Sequence, residues 1–252
     1  MSVAGDFDYE THGAGYGSRR RTDPRIEQQV HSALGEARTV INVGAGTGSY
    51  EPVDRYVVAV EPSASMRAQR LRSRVPAVDA CAERLPFDDD SFDAAMAMVT
   101  VHQWADPVAG LSELRRVTCG AVVVMTFDGD ELDRFWLARY APELLAAERT
   151  RYPAIDAIRD VLGGRSTVVE VAIPLGCTDG FTEAFYGRPE AFLDPEVRRA
   201  QSAWGFVDPV VVDLSVARLA ADLSSGAWDR ELGHLRSQAE FVGSLRLVIA
   251  LP

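Results

Sequence analysis

Short apolar runs alternate with polar stretches over the first half of the chain, and this alternation predicts parallel strands joined by helices. The strand patterns cover residues 39–43, 56–61, 77–81, 94–101 and 121–126. The run over 94–101 is almost entirely apolar, as expected of a central strand that is buried on both faces. The pattern therefore favours an α/β fold with a mainly parallel sheet.

Capping residues mark where helices between these strands begin. A helix is predicted from Arg25 to Leu34, ending at Gly35, and Ser63 can cap a second helix. Asp-Pro pairs predict three further helix starts, since proline is accepted at the first helical position. These pairs are Asp106-Pro107, Asp194-Pro195 and Asp208-Pro209. The interval over 49–55 holds at most one turn, so we expect a thinner and more open flank between the first two strands.

The C-terminal strand pattern over 245–251 is predicted to pair with 167–173 as an antiparallel edge. Between these strands lies an aromatic-rich stretch, 178–240, which we interpret as a helical lid over the carboxyl ends of the strands, where open α/β sheets bind ligands. The alternative is a second patch of ordinary core. The aromatic residues are Phe181, Phe185, Tyr186, Phe192 and Trp204.

Three glycines at alternate positions, Gly44, Gly46 and Gly48, directly follow the first predicted strand. Glycine lets the chain turn sharply and brings backbone amides against a ligand where a Cβ would collide. A dinucleotide-binding fingerprint needs its third glycine one residue later, at the position of Ser49. The next strand ends on Glu61, a carboxylate that can chelate a ribose. These features predict a loop folded under a nucleoside cofactor.

The glycine loop and Glu61, followed by Ala82-Glu83-Arg84-Leu85-Pro86-Phe87 and Asp90-Ser91-Phe92-Asp93-Ala94-Ala95, resemble the class I S-adenosylmethionine-dependent methyltransferases, most closely the small-molecule branch called type 11. The resemblance covers roughly residues 38–127. It implies a doubly wound, mainly parallel seven-stranded Rossmann-like sheet with an antiparallel C-terminal edge hairpin and a helical lid insertion. We expect one domain over 1–252, with an N-terminal cap segment (1–35), a cofactor-binding core (36–127) and the lid (178–240).

The resemblance also implies which residues contact S-adenosylmethionine, the methyl donor that leaves as S-adenosylhomocysteine. The predicted cofactor-binding residues are Asn42, Gly44, Ala45, Gly46, Gly48, Glu61, Pro62, Met66, Ala82, Glu83 and Thr100. The resemblance implies that the loop lies beside the methionine portion of the cofactor and that Glu61 binds the ribose hydroxyls. It also implies that Met66 packs on adenine; plain helix packing is the alternative for Met66. Cys81 and Asn42 each replace an acid that is common in the family. Without that charge, the electrostatic help from Asn42 is smaller, and adenine recognition is expected to rest on backbone groups or on Glu83.

The end of the fourth strand carries His102, which should face the crevice where the reaction takes place. A neutral imidazole there can take a proton from the acceptor, so His102 is the predicted catalytic base; the alternative is a histidine that only hydrogen-bonds in the pocket floor. The predicted substrate contacts are Tyr9, Tyr16, Gln103, Trp104 and Trp136. Alternatives are a frayed terminus for Tyr9 and Tyr16, a helix anchor for Trp104 and ordinary core for Trp136.

Composition and charge limit the kinds of partner that the protein is expected to bind. The chain has 252 residues, which suit one α/β domain, and a formal net charge of −11, which repels nucleic acid. The three cysteines, Cys81, Cys119 and Cys177, lie far apart and suggest neither a disulfide framework nor a zinc site; no metal is expected. Neither a leader pattern nor a membrane-length apolar run is evident. We therefore expect a cytoplasmic monomer or weak homodimer.

The expected function is transfer of a methyl group from S-adenosylmethionine to O, N or C of a small organic molecule by direct in-line displacement. One alternative is a cyclisation or rearrangement in which the cofactor is not a donor, because chemistry resides in the pocket and not in the fold. A second alternative is a non-catalytic module that binds the cofactor or a metabolite.

Overall fold

The computed structural model describes residues 20–252. The predicted contacts of Tyr9 and Tyr16, and most of the proposed cap segment, lie outside the described residues. They remain predictions.

A seven-stranded sheet runs through the centre of the molecule in the order β3-β2-β1-β4-β5-β9-β6. Its strands are β1 (Thr39–Val43), β2 (Tyr56–Val60), β3 (Ala77–Val78), β4 (Phe92–Met98), β5 (Thr118–Phe127), β6 (Arg165–Glu170) and β9 (Leu245–Leu251). The first five are parallel, and β9 runs antiparallel to both β5 and β6. A separate antiparallel pair is formed by β7 (Ile173–Pro174) and β8 (Glu240–Phe241). The predicted doubly wound sheet with an antiparallel C-terminal edge is thereby confirmed.

Helices cover both faces of this sheet. They are α1 (Pro24–Ala33), α2 (Ala64–Ala68), α3 (Pro107–Arg116), α4 (Pro142–Arg151), α5 (Ile155–Leu162), α6 (Pro195–Arg199), α7 (Pro209–Ser224) and α8 (Ala227–Leu232). Short 3₁₀ helices lie at Val101–Gln103, Gly129–Arg134, Trp136–Arg139, Thr182–Phe185, Pro189–Leu193, Ser202–Phe206 and Gly233–Arg236. All three Asp-Pro predictions are confirmed, since Asp106, Asp194 and Asp208 each accept a backbone N–H in the first turn of a helix.

Successive residues of the central strands point to opposite faces and pack into two separate cores. Ala94 and Met96 of β4 join the core beneath α1, which also holds the buried aromatic side chains of residues 181–204. Ala95 and Ala97 join the core beneath α3 and α5. The aromatic-rich stretch therefore packs onto one sheet face as core; its role as a lid remains a prediction.

Three strands end three residues before their predicted limits. Strand β4 stops at Met98, because Val99 takes a positive φ of 52° and the chain then enters a 3₁₀ turn. Strand β3 has only two residues, which pair with the end of β2 at the sheet edge. Strand β6 ends at Glu170, and Ile173 instead pairs with Phe241 outside the main sheet.

Within residues 20–252, no helix combines the length and the apolar character that crossing a membrane requires. The same described residues contain no cluster of three or more His, Cys, Asp or Glu side chains suited to a metal ion.

Candidate active site

The glycine loop after β1 has a backbone that only glycine adopts readily. Gly44, Gly46 and Gly48 have φ values of +68°, +50° and +96°. A Cβ on Gly44 would lie 2.0 Å from Thr100 Oγ1, and a Cβ on Gly46 would lie 3.3 Å from Met66 Cε. The loop is thus pressed against the end of β4 and the first turn of α2, which leaves its bare backbone as the surface offered to a ligand.

Glu61 directly follows β2 and lies beside this loop, with only 7% of its surface exposed. Its Oε2 accepts the N–H of Gly46 at 2.8 Å, and its Oε1 accepts the N–H of Ser63 at 2.9 Å. Burial raises the pKa of this carboxyl, while the two hydrogen bonds oppose the rise. Each oxygen accepts one of these bonds and has a lone pair left. The carboxylate therefore fits a ligand that presents two hydroxyls, as an adenosyl ribose does.

The flank between β1 and β2 contains no helix, as predicted, but it is filled rather than open. Glu51 is only 2% exposed, and both of its carboxylate oxygens accept from Arg70 Nη2 at 2.8 Å. Asn42 Nδ2 donates to Glu51 Oε1 at 3.0 Å. Arg70 Nη1 donates to the carbonyl of Gly46 at 3.0 Å. This set, which we call the Arg70 network, ties the glycine loop to the segment that follows α2.

Glu51 of the Arg70 network also supplies a carboxylate beside Asn42, the position at which the family commonly has an acid. Sequence reasoning missed both Glu51 and Arg70. The available signal was an acid in an interval too short for a helix, but its partner lies 19 residues away along the chain.

The remaining predicted cofactor residues lie in the segments that follow β2, β3 and β4. Met66 and Ala82 are buried, and Met66 packs over Gly46. Pro62 accepts from Arg67 Nη1 at 2.8 Å through its carbonyl. Glu83 Oε1 accepts the N–H of Asp106 at 3.1 Å, which links this segment to the start of α3. The contacts of these residues with a ligand remain predictions.

The end of β4 is strained. Val99 is a β-branched residue with a positive φ of 52°, a conformation that costs about 1–3 kcal/mol and is concentrated at functional sites. The following residue, Thr100, lies over Gly44. The strain therefore accompanies the close approach of this strand end to the glycine loop.

His102 follows within the 3₁₀ turn and packs edge-on against Tyr152, with ring centroids 4.9 Å apart. Burial lowers its pKa to about 3, and the charges of Arg151 and Arg20 act in the same direction. The ring is therefore neutral at physiological pH. A group with so low a pKa is a weak proton acceptor.

The two tryptophans predicted as substrate contacts make core contacts. Trp104 packs so closely on α3 that a Cβ at Gly110 would lie 2.4 Å from Trp104 Cε3. Trp136 is buried, and its Nε1 donates to the carbonyl of Tyr186 at 2.9 Å. Gln103 is also buried. Contact between these three side chains and a substrate remains a prediction.

A cavity opens beside His102 at the carboxyl ends of β4 and β5. Its empty space, about 510 Å³, includes the open solvent at its mouth. It is lined by Arg20, Val99, His102, Phe127, Leu132, Glu148, Tyr152, Phe181, Thr182, Glu183, Ala200, Gln201 and Ser202. Sequence reasoning selected His102 and Phe181 from this set and missed both carboxylates.

Those two carboxylates are buried, and burial raises the pKa of each to about 7. Glu183 is held by the backbone N–H and the hydroxyl of Ser244, all at 3.0 Å. Glu148 has one hydrogen-bond partner among the described residues, the Thr182 hydroxyl, 3.2 Å from Oε1. Glu183 therefore serves chiefly to anchor its own segment, whereas Glu148 keeps acceptor capacity toward the cavity.

Comparison with known proteins finds relatives for the part of the chain that contains the glycine loop. Residues 41–124 match the family model described as a methyltransferase domain. The chain is 27% identical over 220 residues to a malonyl-[acyl-carrier protein] O-methyltransferase of Halorhodospira halophila, covering 74% of this chain and 72% of the relative. It is 35% identical over 109 residues to a demethylmenaquinone methyltransferase of a Mycobacterium species. That match covers 41% of this chain and 47% of the relative, so the chain spans less than half of that relative's length.

The likeness to one solved structure extends over almost the whole chain. A protein of Anabaena variabilis, assigned to the methyltransferases of an antibiotic biosynthesis pathway, superposes with a TM-score of 0.84 at 28% identity. The alignment covers 92% of this chain and 98% of that one. The matched segment contains the glycine loop and Glu61, and the fold around them is shared. On these grounds residues 41–124 match a methyltransferase domain, and the chain has the Rossmann-like fold of the class I S-adenosylmethionine-dependent methyltransferases.

Proposed function

We propose that this protein transfers a methyl group from S-adenosylmethionine to a small organic acceptor bound at the carboxyl ends of β4 and β5. The observation that carries the proposal is the buried Glu61 carboxylate, fixed by the Gly46 and Ser63 amides and still able to accept two hydroxyls. The glycine loop supplies the adjoining bare backbone. The relatives named above methylate small or carrier-bound molecules according to their names, which supports the same class of substrate here.

The bound cofactor supplies an electrophilic methyl group on a sulfonium. The protein's own residues then have to position the acceptor in line and exclude water. The strained turn at Val99 and Thr100 joins the glycine loop on one side to the cavity on the other, because β4 lies between β1 and β5 in the sheet. This arrangement supports direct displacement between neighbouring cofactor and acceptor sites.

Glu61→Ala is expected to weaken the affinity for S-adenosylhomocysteine by about 1–3 kcal/mol, since charge-assisted hydrogen bonds to the ribose are lost. Isothermal titration calorimetry of the wild type and the variant measures this loss. Glu36→Ala, at an exposed position after α1, is the control and should leave the affinity unchanged. Equal affinity in Glu61→Ala and the wild type would remove the ribose assignment and the proposal with it.

His102→Ala tests whether the imidazole is the catalytic base. A base of this kind contributes roughly 10²-fold or more to the rate, with cofactor affinity unaffected. Because burial holds the pKa of His102 near 3, we expect a smaller loss and infer that the neutral ring orients the acceptor. Single-turnover rates at saturating cofactor decide this, and a drop of 10²-fold or more would restore the base assignment.

The mass of the product separates methyl transfer from the other reactions that this fold accommodates. A gain of one methyl group, matched by release of S-adenosylhomocysteine, supports the proposal. An unchanged mass in a converted substrate would favour cyclisation or rearrangement, and binding without turnover would favour a sensing module.

A further inference from the structure

The lining of the cavity beside His102 includes a glutamine whose buried side-chain amide has a donor without a partner among the described residues. Gln201 is 5% exposed, and its Oε1 accepts from Trp204 Nε1 at 3.1 Å, which fixes the direction of the amide. Its Nε2 is buried and has no hydrogen-bond partner among the described residues. An unpartnered buried donor of this kind is costly unless something binds to it.

Glu148 supplies the matching acceptor. Its Oε1 lies 3.2 Å from the Thr182 hydroxyl, and that hydroxyl lies 3.1 Å from Gln201 Oε1. Thr182 therefore lies within hydrogen-bonding distance of both side chains. No hydrogen bond from the described part of the chain reaches Glu148 Oε2. Both side chains belong to the cavity lining.

Three aromatic side chains form one part of the remaining lining. Phe127 packs on Tyr152 and Phe181 with ring centroids 5.3 Å and 5.5 Å apart, so three rings form one continuous wall. Such a wall suits a flat, apolar body. A buried carboxylate disfavours a second anion, and the Arg20 guanidinium at the rim already bonds to Asp179.

We propose that this cavity is a hydroxyl subsite for a flat, ring-containing acceptor, whose O–H donates to Glu148 and whose oxygen accepts from Gln201 Nε2. This assignment rests on the proposed function only in calling the bound molecule the acceptor. It names residues that neither the family motif nor the glycine loop specifies. A hydroxyl is favoured over a carboxylate, which cannot donate, and over an ether, which cannot donate either.

The test uses three naphthalenes of the same shape: 2-naphthol, 2-methoxynaphthalene and 2-naphthoate. Each is titrated by NMR at pH 8.5, where Glu148 with its pKa of about 7 is ionised, against the full-length protein, both free and loaded with S-adenosylhomocysteine. We expect 2-naphthol to bind at least about tenfold more tightly than 2-methoxynaphthalene, and 2-naphthoate to bind too weakly to measure. Glu148→Gln should reduce this preference for 2-naphthol and should allow 2-naphthoate to bind, because the new amide donates to a carboxylate. A gain of binding cannot come from misfolding.

Glu143→Gln is the matched control, since Glu143 is exposed on the first turn of the same helix, α4. It should behave like the wild type toward all three compounds. The proposal is overturned if 2-naphthol shows no advantage over its methyl ether, if the wild type prefers 2-naphthoate, or if Glu148→Gln binds all three compounds as the wild type does. Affinity for S-adenosylhomocysteine is measured separately, so its absence would count against the proposed function and leave the hydroxyl subsite to be judged on the free protein.

Discussion

Arg70→Ala is expected to lower the free energy of unfolding by about 3–5 kcal/mol, the range found when one partner of a buried ion pair is removed. The guanidinium is 4% exposed and Glu51 is 2% exposed, so the variant leaves a buried carboxylate without its counter-charge. The carbonyl of Gly46 loses its donor at the same time. Urea denaturation monitored by circular dichroism measures the change, and calorimetry with S-adenosylhomocysteine should show weaker binding in any variant protein that remains folded.

Two further variants separate the buried charge from general disruption. Arg72→Ala removes an exposed arginine of the same segment and should change the stability by less than about 0.5 kcal/mol. The double variant Glu51→Gln with Arg70→Met has no charge to leave unpaired and should recover part of the lost stability. If Arg70→Ala is as stable as Arg72→Ala, the Arg70 network does not support the loop.

Gly44→Ala is expected to reduce the affinity for S-adenosylhomocysteine by at least about 100-fold, or about 2.7 kcal/mol. The new Cβ would lie 2.0 Å from Thr100 Oγ1 and 2.8 Å from Thr100 Cβ, at a φ of +68° that alanine adopts only with strain. The end of β4 or the loop must then move. Calorimetry measures the affinity, and thermal unfolding reports the accompanying loss of stability.

Gly35→Ala provides a close control. Gly35 also has a positive φ, +58°, but a Cβ there meets nothing within 4 Å. This variant should lose only about 1 kcal/mol of stability, because alanine is strained at this φ, and should keep full cofactor affinity. If the two variants bind the cofactor equally well, the contact between the loop and Thr100 is not what shapes the site.

The elements that local chemistry determines were predictable from the sequence. Strand β1 was predicted at its observed limits, and the three Asp-Pro helix starts are correct, because burial pattern and capping act between near neighbours in the chain. The end of β4 was not predictable in the same way. Val101 continues the apolar pattern, but the chain turns at Val99, next to Thr100, which lies against the glycine loop.

The residues of the candidate site also fall into those that the sequence reveals and those that it does not. Gly44 and Glu61 could be selected because each follows a strand and carries its own chemical signal. Glu148 and Gln201 carry no such signal. They lie on separate segments, and only the packing of the region after α5 against α4 brings both into hydrogen-bonding distance of Thr182. These two side chains are 34 and 19 positions away from Thr182 in the chain. Sequence patterns and spacing cannot reveal a cavity that forms only through such tertiary contacts.

The absence of a helix between β1 and β2 also limits how far the length of the connecting segment can change. Only residues 44–55 join these two parallel strands, close to the dozen residues that such a crossover requires at minimum. Deletions in this stretch would pull the strands out of register, whereas insertions at the exposed positions Val53 and Asp54 would simply extend a surface turn. This segment should therefore accept insertions but not deletions, both in natural recombination and in loop engineering.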